Sequence, residues 1–205
     1  MTAELRTTTI APRLQPGAWL FAVMLGLAPL AAYAQQAAAP APVARDASHD
    51  FDFEFGSWTA HLSRRLNPLT GSTTWVEYWG PSVVHKVWNG AANLGEIDLK
   101  GPAGRIQGLS LRLYNPASRQ WNISFSNING GTLGPAMVGG FKDGRGEFYD
   151  QEMFNDRAIF VRFIFSDITA TSFQLEQAFS DDGGKTWEAN WITKFTRDPA
   201  GASKG

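Results

Sequence analysis

Between Trp58 and Arg197 the chain is a succession of short apolar/polar alternations broken by turn clusters, and no segment sustains a 3.6-residue period. Asn67-Pro68-Leu69-Thr70-Gly71, Asn115-Pro116-Ala117-Ser118, Lys142-Asp143-Gly144, Asn155-Asp156 and Asp181-Asp182-Gly183-Gly184 are rich in residues that preset or tolerate turn geometry. Between such clusters lie about eight to ten strands. Leu109, Leu111 and Leu113 share a face, as do Trp121, Ile123 and Phe125, then Ile159, Val161, Phe163 and Phe165, then Phe173, Leu175 and Phe179. Each set is predicted to point inward. With no helical insertions, such antiparallel strands form either a two-sheet sandwich or a closed barrel, and closure removes the exposed edges. The reading is all-β: an antiparallel up-and-down barrel with a short N-terminal aromatic turn or plug, Phe51-Asp52-Phe53-Glu54-Phe55. Phe160 and Ile164, apolar on the face opposite Phe163 and Phe165, call for a cover, which this aromatic segment could supply from a barrel end or an outer wall.

The chain before this region is of another kind. Arg6 and Arg13 precede an apolar run from Ala18 to Ala32, ending in the small-x-small triplet Ala32-Tyr33-Ala34. Residues 1–34 read as a secretory signal peptide, because the run is shorter than the ~20 residues of a spanning helix and contains Pro29. Export to a periplasm, or beyond it, with no integral membrane span in the mature form, is the expectation. Residues 35–48, rich in Ala and Pro, read as a flexible linker, 49–199 as the folded domain and 200–205 as a disordered tail. With 18 Lys+Arg against 19 Asp+Glu, scattered rather than clustered, the chain has no electrostatic footprint for nucleic acid. The absence of Cys excludes disulfides, thiolate nucleophiles and Cys-type zinc sites.

Ser180-Asp181-Asp182-Gly183-Gly184-Lys185-Thr186-Trp187 fits the S-x-D-x-G-x-T-W pattern known as an Asp-box. Ser180, Asp182, Gly184, Thr186 and Trp187 are expected to shape a hairpin rather than a site: Asp182 accepts from turn amides, Gly184 takes a positive φ and Trp187 packs beneath the loop. Gly56-Ser57-Trp58 at the start of the first strand resembles the G-x-W signature of the calycin superfamily, in which the Trp closes the barrel floor and a basic residue of the last strand, here Lys194 or Arg197, packs over it. With His49-Asp50-Phe51-Asp52-Phe53, Leu113-Tyr114-Asn115-Pro116-Ala117 leading to Trp121, and Glu176-Gln177-Ala178-Phe179-Ser180, the chain resembles an exported bacterial family of lipocalin-like domains of unknown function. That resemblance implies a lipocalin-like (calycin) barrel over most of residues 49–197 and no reaction. The disulfide and Thr-Asp-Tyr motif of true lipocalins are lacking.

The histidines are His49, His61 and His85, without metal-site spacing, so no metal or cofactor is expected. Alternation puts His61 outside with Thr59 and Ser63. It puts His85 inside with Val83 and Val87, as an internal hydrogen-bonding group or, failing that, the only candidate for a haem or metal ligand. Glu77 lies between Trp75 and Trp79, and Gln177 between Leu175 and Phe179, so both need partners: each other, Arg64, Arg112 or a ligand. No second carboxylate falls on a predicted inner face, which argues against a two-carboxylate glycosidase. Trp75, Glu77, Trp79, His85, Gln177 and Trp191 are therefore expected to line one cavity. The function expected is non-catalytic binding of a small apolar or amphipathic molecule. The alternatives are a cofactor-independent isomerase or cyclase using Glu77 or His85 as base, or a solid-core interaction module.

Overall fold

The computed structural model describes residues 45–199; the expected leader, the start of the linker and the tail lie outside the described residues. Ten strands follow in chain order: β1 (Gly56–Arg65), β2 (Trp75–Val87), β3 (Ala92–Gly101), β4 (Gly104–Asn115), β5 (Gln120–Asn127), β6 (Met137–Lys142), β7 (Arg145–Phe154), β8 (Arg157–Ser166), β9 (Ser172–Ser180) and β10 (Glu188–Arg197). Each pairs antiparallel with its neighbour, and β1 also pairs with β10, so the sheet is a closed up-and-down barrel. The turns do what their residues allow. Asp143 and Gly144 join β6 to β7, and Asn155 and Asp156 join β7 to β8, with φ of 52°, 76°, 49° and 60°. Such paired positive φ values match the twist of a two-residue hairpin.

The plug segment forms a single 3-10 turn at Asp52–Glu54 and seals one end of the barrel. Phe51 is fully buried, with ring centroids 4.9–5.7 Å from Trp121, Phe141, Phe148 and Phe165. Trp58 stands edge-on to Phe173 at 4.8 Å and donates its indole N–H to the Glu54 carbonyl at 2.7 Å. Arg197, opposite Trp58 in the β1/β10 pairing, lays its guanidinium 4.0 Å from the Trp58 ring and donates to the carbonyls of Phe53 and Phe55. Gly56 belongs to this contact: it holds φ +111°, and a Cβ there would approach the Arg197 guanidinium to 3.2 Å. Lys194, the other basic candidate, pairs with His61 on the outer surface.

Register decides which faces are inside, and in two strands it reverses the expectation. In β2 the buried Tyr78 lies opposite Leu62, so Val76, Tyr78, Ser82 and Val84 point in, whereas Trp75, Glu77, Trp79 and His85 point out. Both faces of this strand carry large apolar groups, so alternation alone does not orient it. In β4 the pairings Arg112↔Ile123 and Tyr114↔Trp121 put Ser110, Arg112 and Tyr114 inside. Leu109, Leu111 and Leu113 are therefore half-buried on the outer wall, where Leu111 faces Leu94 of β3. The apolar sets of β5, β8 and β9 do point inward. Phe160 remains 39% exposed, because the aromatic segment packs into the barrel end rather than over the outer wall.

The β9–β10 loop is held by its own side chains. Asp182 accepts from the Ser180 hydroxyl, from the amides of Lys185 and Thr186, and from the Thr186 hydroxyl, while Gly184 holds φ +85°. Trp187 bonds the Gly184 carbonyl and lies on the outer wall over Arg162, 4.6 Å from the guanidinium, whereas Trp191 faces inward. A bulge between Ala189 and Trp191 separates the two faces. The turn bonds favour the ionised Asp182 and hold its pKa well below the usual carboxylate value. Its contribution to stability is therefore full above the unfolded carboxylate pKa and lost only as pH falls through the depressed folded value. Asp182→Ala is expected to lower the thermal midpoint at neutral pH and leave the interior unchanged; an unchanged midpoint would contradict the scaffold role.

Candidate functional site

The barrel encloses a cavity of about 90 Å³ between a polar floor and an aromatic upper wall. Phe125, Phe163, Phe173, Leu175, Trp191 and Phe195 supply apolar surface, and Ser82, Ser110, Thr193 and Gln177 supply polar groups. Of the six residues expected to line one cavity, Gln177 and Trp191 do, side by side in the β9/β10 pairing. The other four are on the outer surface. There Glu77 bonds His61 and Ser63, both at 2.7 Å, and Trp79, 50% exposed, stacks on the His61 ring at 4.9 Å. Trp75 lies 4.8 Å from the Arg65 guanidinium, and His85 is exposed. Gln177 finds its partner in Asn190, the bulged residue of β10, at 2.7 Å, and Trp191 donates to the Thr193 hydroxyl at 2.8 Å.

The residues at the centre of the floor were not among the expected six. Glu54, 1% exposed, projects from the plug, and Arg112, 7% exposed, projects from β4; Arg112 Nη1 lies 2.9 Å from the Glu54 carboxylate and donates to Asn93 Oδ1 at 2.9 Å. Room for the guanidinium comes partly from Gly95, where a Cβ would sit 3.1 Å from Arg112 Nη1. Burial pushes the Glu54 carboxyl up to about 7, the nearby guanidinium opposing the shift without cancelling it. Burial likewise lowers Arg112, against the pull of Glu54. Two polar atoms of this group, Arg112 Nε and Asn93 Nδ2, are buried with no hydrogen-bond partner among the described residues, and Glu54 Oε2 is met only by the ion-pair contact with Arg112 Nη1. The sequence signal for the pair is a charged residue inside each of two apolar runs, Glu54 among phenylalanines and Arg112 among leucines.

Two further carboxylates face inward, contrary to expectation, because β7 pairs Asp150 with Val161 and Glu152 with Ile159. Burial first, and then the charge of Asp150, raises the pKa of Glu152. No group of three or more metal-ligating side chains occurs among the described residues.

Fold and interior together define a lipocalin-like β-barrel. Among solved structures, the chain is similar to the S-type phycobiliprotein lyase CPES from Guillardia theta, with 13% identity, coverage of 76% of this chain and 94% of that one, and a TM-score of 0.53. It also aligns with a redesigned beta barrel, mFAP0, bound to DFHBI, with 9% identity, coverage of 71% and 99%, and a TM-score of 0.41. No protein-family profile and no curated protein matches the sequence. The lyase likeness is one of fold.

Proposed function

We propose that this chain is an exported, non-catalytic lipocalin-like binding protein of the bacterial family it resembles, and that its barrel holds a small, largely apolar molecule with a polar end. One observation carries the reading: a buried Glu54–Arg112 pair, its guanidinium not fully partnered, at the floor of an otherwise aromatic cavity. Leaving a buried donor unsatisfied costs ~1–3 kcal/mol, which a bound polar group recovers. The likeness in fold to a phycobiliprotein lyase agrees with a ligand-binding barrel in general without fixing the ligand. The catalytic alternative loses its expected bases, since Glu77 and His85 face outward, and the solid-core alternative has the cavity against it.

Native mass spectrometry of protein purified from its own cells is expected to show a co-purified small molecule that leaves on denaturation. Because Trp191 lines the cavity, its emission should change with occupancy, and Trp191→Phe should remove most of that change. Export predicts an intact mass beginning at Gln35 or within a residue or two of it. A chain retained with residues 1–34 attached would defeat that part of the reading.

A further inference from the structure

We infer that the ligand is an organic acid whose carboxylate seats on the free edge of the Arg112 guanidinium, with Glu54 taking up a proton as it binds. This rests on the ligand-binding reading above and assigns it a chemical class. Arg112 spends only one of its terminal nitrogens on protein: Nη1 faces Glu54 and Asn93. Nε has no partner, and Nη2 makes no hydrogen bond among the described residues. Those two nitrogens form one edge of the planar fork, the edge that binds a carboxylate with two parallel hydrogen bonds once the side chains that close over Nε move aside. The guanidinium is held in place by its own surroundings, over the rings of Phe51 at 5.1 Å and Phe165 at 5.9 Å. The hydroxyls of Ser82 and Ser110 line the same cavity and supply further donors, and Thr193, whose oxygen already accepts from Trp191, keeps its own hydrogen to donate.

Proton uptake follows from charge. Two carboxylates on one buried guanidinium cannot both stay ionised at small cost, so one of them is protonated. Glu54 is the group that takes the proton, because burial already leaves it poised near neutrality. The groups packed around it do not change this. From β4 comes Arg112, the one charge that acts on it, and from β3 the neutral Asn93. Arg197 of β10 is committed to the carbonyls of Phe53 and Phe55 and the face of Trp58, Lys86 of β2 lies over the Phe55 ring, and Asp52, on the plug itself, bonds the exposed His49. The proton comes from solvent and sits on Glu54, and the ligand's negative charge replaces that of Glu54 opposite Arg112.

Size narrows the class. About 90 Å³ is less than the ~150 Å³ of an apolar cavity that admits benzene, so the carboxylate and a short stem occupy the floor. That stem lies along Phe125, Phe163, Leu175 and Trp191, which line the same volume, so the class is a short-chain acid.

The test is isothermal titration of protein expressed from the whole 205-residue sequence with butanoate and hexanoate, each against its primary amide, in two buffers of different ionisation heat near pH 7. The acids are expected to bind at least about tenfold more tightly than the amides, the difference between charge-assisted and neutral hydrogen bonds. Up to about half a proton should be taken up per acid bound when Glu54 is at its midpoint at that pH, and more as the pH is raised above it. Glu54→Gln keeps the shape and removes the titrating group; it should retain acid binding, abolish the buffer dependence and flatten the loss of affinity above pH 7. Amides binding as tightly as acids would overturn the carboxylate assignment while leaving a ligand cavity. Tighter acid binding without proton uptake would overturn the role of Glu54, and no binding by any of the four would overturn both readings.

Discussion

Arg112→Met should lower unfolding free energy by roughly 3–5 kcal/mol, the scale of removing one member of a buried ion pair. The loss comes less from a missing attraction than from what stays behind: Glu54 at 1% exposure with no counter-charge, and Asn93 Oδ1 without its donor. The double variant Glu54→Leu with Arg112→Met removes both charges and should recover a large part of the loss, since apolar replacements of buried pairs are often neutral or better. Urea denaturation of the single and double variants measures the coupling. A single variant as stable as the parent would mean that water already screens the pair. pH supplies an independent reading. With Glu54 raised from 4.5 to about 7, the native chain holds the proton more tightly than the unfolded one. Its contribution to stability is then greatest below 4.5, falls as pH rises to about 7 and is constant beyond, and Glu54→Gln should remove that slope.

Phe51→Ala should cost about 3–5 kcal/mol, as a buried aromatic truncation whose cavity cannot collapse against a rigid barrel. Phe51 is the hub of the plug, in ring contact with Trp121, Phe141, Phe148 and Phe165, and Glu54 rides on the same 3-10 turn. Loss should therefore appear twice, as a lower urea midpoint and as faster amide exchange at Glu54 and Trp58. A lower midpoint with unchanged exchange at the plug would show that the turn is held by Arg197 and its carbonyl bonds instead.

The barrel was legible because period-two alternation and turn chemistry are local signals, and ten strands within one meander leave little freedom of order. The floor contact of Trp58 with Arg197 followed from the G-x-W resemblance, since its two members are the ends of the first and last strands. The faces of β2 and β4 were not legible. In β2 both parities are apolar, and in β4 the leucine face is the outer one because the inner face must make room for a guanidinium. Glu77 thus read as the cavity carboxylate, whereas the carboxylate in the cavity belongs to the plug, outside any strand pattern. Gln177 and Trp191 face inward as alternation put them, because β9 and the lower part of β10 have one apolar face each. A charged residue set within an apolar run does not by itself mark the interior: Glu54 and Arg112 are buried, whereas Asp52 and Glu77, set in runs of the same kind, lie on the outer surface.

The pairing of β1 with β10 has a kinetic consequence. The strand that begins at Gly56 finds its second neighbour only when residues 188–197 are available, and Arg197 cannot cover Trp58 before then. Loop closure over more than a hundred residues must precede the reward of burial, so the ring should close late and slowly, like other topologies dominated by distant contacts. Until that moment β1 and the last strand formed are both open edges, and intermolecular pairing competes with closure. Holding the chain extended until its final strand emerges favours closure, and removing only β10 should leave two open edges and promote aggregation.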